Sequence, residues 1–182
     1  MSEFSFEHTD VSANYEYFKM SYGGHDFDNM KVKNVNVCVL PFETESTGKA
    51  VTSLYLMKYF DFMKKSTKWS TMLYRYNPNK DESHLDTAIR AVGDTMKLSI
   101  TDDDIKRVFY LGEIELNHIM SGAIPCYAFN VTGMAKNLDA SFEINAKLNM
   151  SLERMSYANV LRGGSQDYII ASCVFLLLSY LT

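Results

Sequence analysis

Residues 83–98 constrain this chain more than any other stretch, because their apolar residues recur on one side of a helix. Leu85, Ala88, Ile89, Val92 and Met96 fall three or four positions apart, so they share a helical face. Ser83 stands where an N-cap is needed, and Asp86, three residues on, can answer it in a capping box. Gly93 weakens the helix by ~1 kcal/mol relative to alanine. A one-sided helix must bury its apolar side. The segments around it read as strands, so the expected solution is a helix laid on a sheet.

The strand signals are period-2 runs bounded by polar turns. Residues 34–40 (NVNVCVL) put Val35, Val37 and Val39 on one face. Residues 53–62 and 69–76 are further strands, with polar loops at 43–49 and 63–68, and the cluster NPNKDE at 77–82 is a turn. After the helix, residues 101–104 (TDDD) form a turn or short cap. Residues 106–116 read as a strand bent at Gly112, and 124–132 as another. Residues 142–148 are a weaker strand, and 152–160 a short helix or ordered loop. Gly163 and Gly164 break the chain, and Ser165 can cap a terminal helix over 166–181. That helix is apolar on nearly every side and should lie buried, with Phe175 and Leu176 packing it. Leu85, Ile89, Val92 and Leu98 should pack the earlier helix.

Residues 1–32 differ from the rest. They are rich in aromatic and acidic residues without a steady period, and Gly23-Gly24 marks a turn. Such rings are costly to leave in water. Phe4, Phe6, Tyr15, Tyr17, Phe18 and Tyr22 therefore define an extended arm that docks on another protein subunit, ahead of a single domain over 33–182. With 182 residues, 47% of them hydrophobic, the chain can fill one core. A net charge of −4 without a basic stripe argues against a nucleic-acid surface. The start MSEFSFEHTD lacks the basic and apolar regions of a signal peptide. The longest apolar run, 169–181, falls short of the ~20 residues that span a bilayer, so no membrane contact is expected and the cytoplasm is the default location. Cys38, Cys126 and Cys173 are far apart, show no metal-ligand spacing and read as buried reduced thiols. The histidines show no zinc spacing, and Asp102-Asp103-Asp104 lacks the glycine and glutamate of a calcium loop. No cofactor is expected.

With Arg90 as anchor, the segment from Tyr76 to Leu98 resembles the signature of the Nudix hydrolase family. That signature reads Gly, five residues, Glu, seven residues, then Arg-Glu-hydrophobic-x-Glu-Glu-x-Gly-hydrophobic. Glu82 falls on the first glutamate, Val92 and Leu98 on the hydrophobic positions, and Asp94 on one acidic position. Tyr76 replaces the leading glycine, Ala91 and Thr95 replace two clustered glutamates, and Lys97 replaces the second glycine. VCVLPFE, SLYLMKYFDF, Trp69, RVFYLGEIE and SQDYIIASCVFLLL resemble the family's other elements in their order.

The resemblance implies a Nudix-like α/β/α sandwich with a mixed sheet over residues 33–182. It implies that Arg90, Val92 and Leu98 are structural and that Glu82 and Asp94 are weak remnants of a metal site. In the family, carboxylates on this helix hold divalent metal against a pyrophosphate. Their loss here points to a non-enzyme with no catalytic and no metal-binding residues. The Asn-, Lys-, Tyr- and Met-rich composition resembles that of small proteins of tailed phages, including crAss-like phages. The expectation is therefore an assembly protein, a ring, neck or tail component of a virion, homo-oligomeric among other subunits. The alternatives are a divergent metal-dependent pyrophosphohydrolase, using Glu82 and Asp94 with Glu113, Glu115 or Glu143, and a metal-free nucleotide sensor.

Overall fold

A computed structural model describes residues 5–11, 15–22, 25–32, 36–48, 50–61, 65–76, 81–115, 120–134, 141–145, 150–162 and 167–181. Three N-terminal strands, β1 (Ser5–Val11), β2 (Tyr15–Tyr22) and β3 (His25–Val32), form an antiparallel meander. The extended arm is thus strand over most of its length. Its side chains, including those of Phe6, Tyr15, Tyr17, Phe18 and Tyr22, lie outside the described residues, as does all of Phe4.

The main sheet uses β4 (Asn36–Thr44), β5 (Val51–Asp61), β6 (Ser66–Ser70), β7 (Met72–Arg75), β8 (Val108–Glu115), β10 (Ala123–Asn130), β11 (Ser141–Asn145) and β12 (Met150–Ser156). Between β8 and β10, the two-residue β9 (Met120–Ser121) pairs in parallel with β3 instead. The order across the main sheet is β11-β12-β5-β4-β10-β8, with β6 added to β5 and β7 to β4. β10 runs parallel to β4 and the other pairings are antiparallel, so the sheet is mixed. Helix α1 (His84–Met96) covers one face; α2 (Tyr157–Arg162) and α3 (Tyr168–Leu181) lie with the core of the other. This is the α/β/α sandwich of a Nudix-like fold.

β4 is buried on both faces. Val37 and Val39 join Tyr55, Met72, Phe129 and Leu152 beneath α1. Cys38, Leu40 and Phe42 join Leu54, Leu56, Ala128 and the inner side of α3. This alternation is the strand period made visible, since successive side chains leave opposite faces. The strand also runs further than its valines suggest, through Pro41 and Phe42 to Thr44. Pro41 has no N–H to give. It stands where β4 changes partner, from β7 over Asn36–Val39 to β5 over Phe42–Thr44. Residues 66–75 cross that gap, pairing first with β5 and then with β4, with a break at Thr71. The sheet is therefore forked, and Thr71 sits at the crossing.

α1 starts as its residues dictate. The Ser83 side chain accepts from the Asp86 N–H, and the Asp86 carboxylate accepts from Ser83, closing the capping box. Those hydrogen bonds hold the Asp86 carboxyl below its ordinary range. The buried side of α1 is made of Thr87, Ala88, Ala91, Val92 and Met96. Leu85 and Ile89, expected in the core, are only half-buried at its edge. Small residues at 88 and 91 set the helix axis close to the sheet, where long side chains do not fit.

The strand at 106–116 bends as its glycine suggests. Opposite Cys126 and Tyr127, β8 spends an extra residue between Gly112 and Tyr110, and Gly112 takes φ +116°. Residues 152–160, read as a short helix or ordered loop, divide between two elements: β12 takes Met150–Ser156, between β5 and β11, and α2 begins at Tyr157. α3 is capped by Asp167, whose carboxylate accepts from the Ile169 and Ile170 N–H groups; Ser165 lies outside the described residues. Ile170, Cys173, Val174 and Leu177 face the core, whereas Phe175 is 69% exposed. An apolar helix lying on one sheet still shows a side to solvent, so Phe175 does not pack it. Among the described residues no helix is long and apolar enough to cross a membrane.

Two substitutions separate the layers in a denaturant titration. Met96→Ala should cost ~2–5 kcal/mol by leaving a cavity under α1. Phe175→Ala should stay within about 0.5 kcal/mol of the parent. Equal losses in the two variants would contradict the orientation of α3.

Candidate active site

The turn before α1 is held by one cation. Arg90 Nε donates to Glu82 Oε1 at 2.6 Å, Nη2 donates to Glu82 Oε2 at 3.0 Å, and Nη2 reaches the Arg75 carbonyl at 3.3 Å. The guanidinium also lies 5.3 Å from the centre of the Tyr74 ring. This fork-to-carboxylate geometry needs an arginine, and Glu82 in turn raises the Arg90 pKa. It ties the end of β7 to the middle of α1. The Asp86 carboxylate, four residues before Arg90 on α1, serves the N-cap. Tyr76, at the position of the family's leading glycine, is half-buried and stands edge-on to His84 with ring centres 4.5 Å apart.

The far end of α1 keeps a glycine's geometry without the glycine. Lys97 takes φ +56°, ψ +38°, and its N–H bonds the Gly93 carbonyl. The left-handed C-cap is a place where Cβ is unwelcome. Val92 is fully buried under α1, and Leu98 is partly buried against the same cluster.

The carboxylates are spread across two elements. Beyond the first turn of α1, Asp94 is its single carboxylate, and it is exposed. Ala91, at the position of a family glutamate, has no exposure at all, and Thr95 is half-buried. Hard divalent cations take oxygen ligands, mostly carboxylates with water. With Glu82 engaged by Arg90, the residues of α1 do not fit such an ion. Further acid lies on the same sheet face. Tyr127 packs with the cluster under α1, Tyr110 stands 5.2 Å from it ring to ring, and Glu113 raises the pKa of both phenols beyond the larger effect of their burial. Glu113 and Glu115 on β8 are both exposed, and the side chain of Glu143 lies outside the described residues.

A cavity of about 420 Å³ opens in the fork, lined by Met57, Tyr59, Phe60, Ser70, Thr71, Leu73 and Met150. Met57 also packs against the cluster beneath α1, so the cavity borders that layer. Trp69 is half-buried on β6, with the Lys58 ammonium 5.6 Å from its ring centre.

Two polar groupings escaped the sequence reading. The buried Tyr55 hydroxyl donates to Glu43 Oε1 at 3.0 Å, and Arg154 Nε donates to Glu43 Oε2 at 2.7 Å. Burial, then Glu43, push the Tyr55 pKa up. Cys38, Cys126 and Cys173 are buried free thiols whose sulfurs gather in one cluster. No spacing in the sequence signals either group, because the members come from different strands and from α3. The Asp102–Arg107 segment is a 3₁₀ turn. Thr101 donates to Asp104 there, and Asp103 pairs with Lys106 on the surface.

No protein-family model matches this chain, and no curated protein matches it. Among solved structures, it is similar to a crystal structure of an ADP compounds hydrolase, with a TM-score of 0.64 at 13% identity, covering 99% of this chain and 94% of that one. At that identity the likeness establishes the fold. It also overturns the expectation of a non-enzyme, since a protein that shares the fold over nearly its whole length is a hydrolase. That expectation rested on the carboxylates missing from the helix and left Glu113 and Glu115 to the alternative reading; both are exposed on β8, on the sheet face under the helix. A virion component finds no support in the comparisons.

The two ends of α1 can be tested separately by thermal unfolding. Arg90→Lys removes the fork and should cost about 1 kcal/mol, a modest loss because the guanidinium is partly exposed to solvent. Lys97→Gly relieves the left-handed strain and should stabilise the protein by roughly 1 kcal/mol. A destabilised Lys97→Gly would mean that the lysine side chain holds the cap.

Proposed function

We propose that this chain is a divergent hydrolase of nucleoside-diphosphate compounds. The observation that carries the reading is its likeness to an ADP compounds hydrolase over 99% of its length. The braced turn before α1 supports it, since Arg90 and Glu82 are the pair that the Nudix resemblance leads one to look for. Asp94 and Glu113 are assigned to the reaction, as exposed carboxylates on the α1 side of the sheet. Cleaving a pyrophosphate requires the attacking water to lose a proton, and a carboxylate within reach takes it. The cavity in the fork takes the organic part of the substrate: Tyr59, Phe60 and the side chains of Met57 and Leu73 offer flat and apolar contacts, and Ser70 and Thr71 offer hydroxyls.

The assay is release of AMP from a panel of ADP-linked compounds, run with Mg²⁺, with Mn²⁺ and with chelator. Turnover is expected, and Asp94→Asn or Glu113→Gln should lower kcat by about 10²–10⁴-fold. No release from any compound under any of these conditions would overturn the proposal. Binding without release would make the protein a nucleotide-binding one instead.

The arm supports a separate proposal. β1–β3 form a sheet of their own, joined in parallel to β9, and residues 1–32 dock on another protein subunit. Removal of residues 1–32 should leave a folded domain of lower assembled mass in solution. An unfolded product would place the strands in the domain's own core.

A further inference from the structure

The three cysteines come from β4, β10 and α3. β10 lies parallel to β4 with Cys126 beside Cys38 in register, so both side chains leave the sheet on one face. α3 sets Cys173 down onto that face, with its sulfur 3.5 Å from that of Cys38. All three sulfurs lie within 4.8 Å of one another, and all three residues are fully buried. Among the described residues no histidine, aspartate, glutamate or fourth cysteine joins them. The Thr71 hydroxyl accepts from Cys38 Sγ at 3.1 Å.

We propose that this sulfur triangle is a binding site for a soft, thiophilic cation of the Cu(I) class, held in the core between α3 and the sheet. An ion about 2.3 Å from each of three sulfurs spreads them about 4 Å apart, from the geometry of ordinary metal–thiolate bonds. That value lies above the 3.5 Å between the Cys38 and Cys173 sulfurs and inside the 4.8 Å within which all three lie. Soft sulfur ligands select Cu(I). Zn²⁺ completes four ligands in structural sites, and the fourth group here is only a hydroxyl. Metal-bound cysteine sulfur is thiolate, so each bond that forms releases a proton to solvent. Three Cu–S bonds form, three S–H bonds break, and nothing is oxidised or reduced. The bound ion would staple α3 to β4 and β10. This inference is independent of the hydrolase reading.

The test refolds the full chain anaerobically with Cu(I) under a thiol-free reductant, then removes free metal and measures bound metal by elemental analysis. Stoichiometric copper is expected, with an X-ray absorption shell of sulfur alone and a raised unfolding temperature. Cys173→Ala should weaken retention by at least the roughly 10–100-fold that loss of even an outer partner of a metal site costs. Far-ultraviolet circular dichroism checks that this variant folds. If it does not, the sulfur shell of the parent protein decides alone. A folded parent that retains no copper, a shell of nitrogen or oxygen, or equal retention by folded Cys173→Ala would each overturn the site. Preferential uptake of Zn²⁺ would overturn the three-coordinate assignment.

Discussion

The structure depends on a strand that can afford no polar face. β4 is buried from Val37 to Phe42, and two helical layers exist because both of its sides need cover. Its backbone groups are satisfied by β10 on one edge and by β7 and β5 in turn on the other. Because β10 is parallel to β4, the chain must leave the sheet and return between them. That return path contains β5, β6, β7, α1 and β8, so the helix with the signature is part of the connection that the central strand imposes.

The change of partners along β4 creates the fork. While β5 diverges, β6 and β7 fill the widening gap, and the cavity forms where they cannot fill it completely. The fork also places Thr71, fully within the protein, where its hydroxyl meets Cys38. A single irregularity thus shapes an opening on the sheet and a polar contact in the core on its other side. Regular sheets bury their edges evenly. A forked one leaves an open space lined by strands on either side.

Local signals in the sequence were sufficient where local physics decides the outcome. Ser83 and Asp86 mark the start of α1, and Gly112 marks the bulge in β8, because caps and bulges are settled within a few residues. Val37 and Val39 likewise mark the strand they occupy. The signal failed where the neighbour decides. Residues 150–156 (MSLERMS) alternate too weakly to read as a strand, yet pairing between β5 and β11 makes them one. Phe175 is apolar in an apolar helix, and nothing in the helix says which side the sheet will cover. The cysteine cluster depends on the register between β4 and β10 and on where α3 lands, neither of which is written in residue spacing. The Glu43–Tyr55–Arg154 group, drawn from β4, β5 and β12, was hidden for the same reason.

The departures from the signature acquire a physical sense from how α1 sits. Ala88 and Ala91 lie against the sheet with no exposure, and their small side chains are what let the helix approach so near. A glutamate at 91 would have to be buried as a charge or push the helix outward. Burial without a partner is expensive, and displacement would strip contacts from Val92 and Met96. The alanine is therefore tied to this packing, and its presence says little by itself about chemistry. Asp94 is a different case. It projects from the exposed side, where an acid imposes no packing cost. The exposed acids on this side of the sheet, Asp94 on the helix and Glu113 and Glu115 on β8, are ones the core does not restrict.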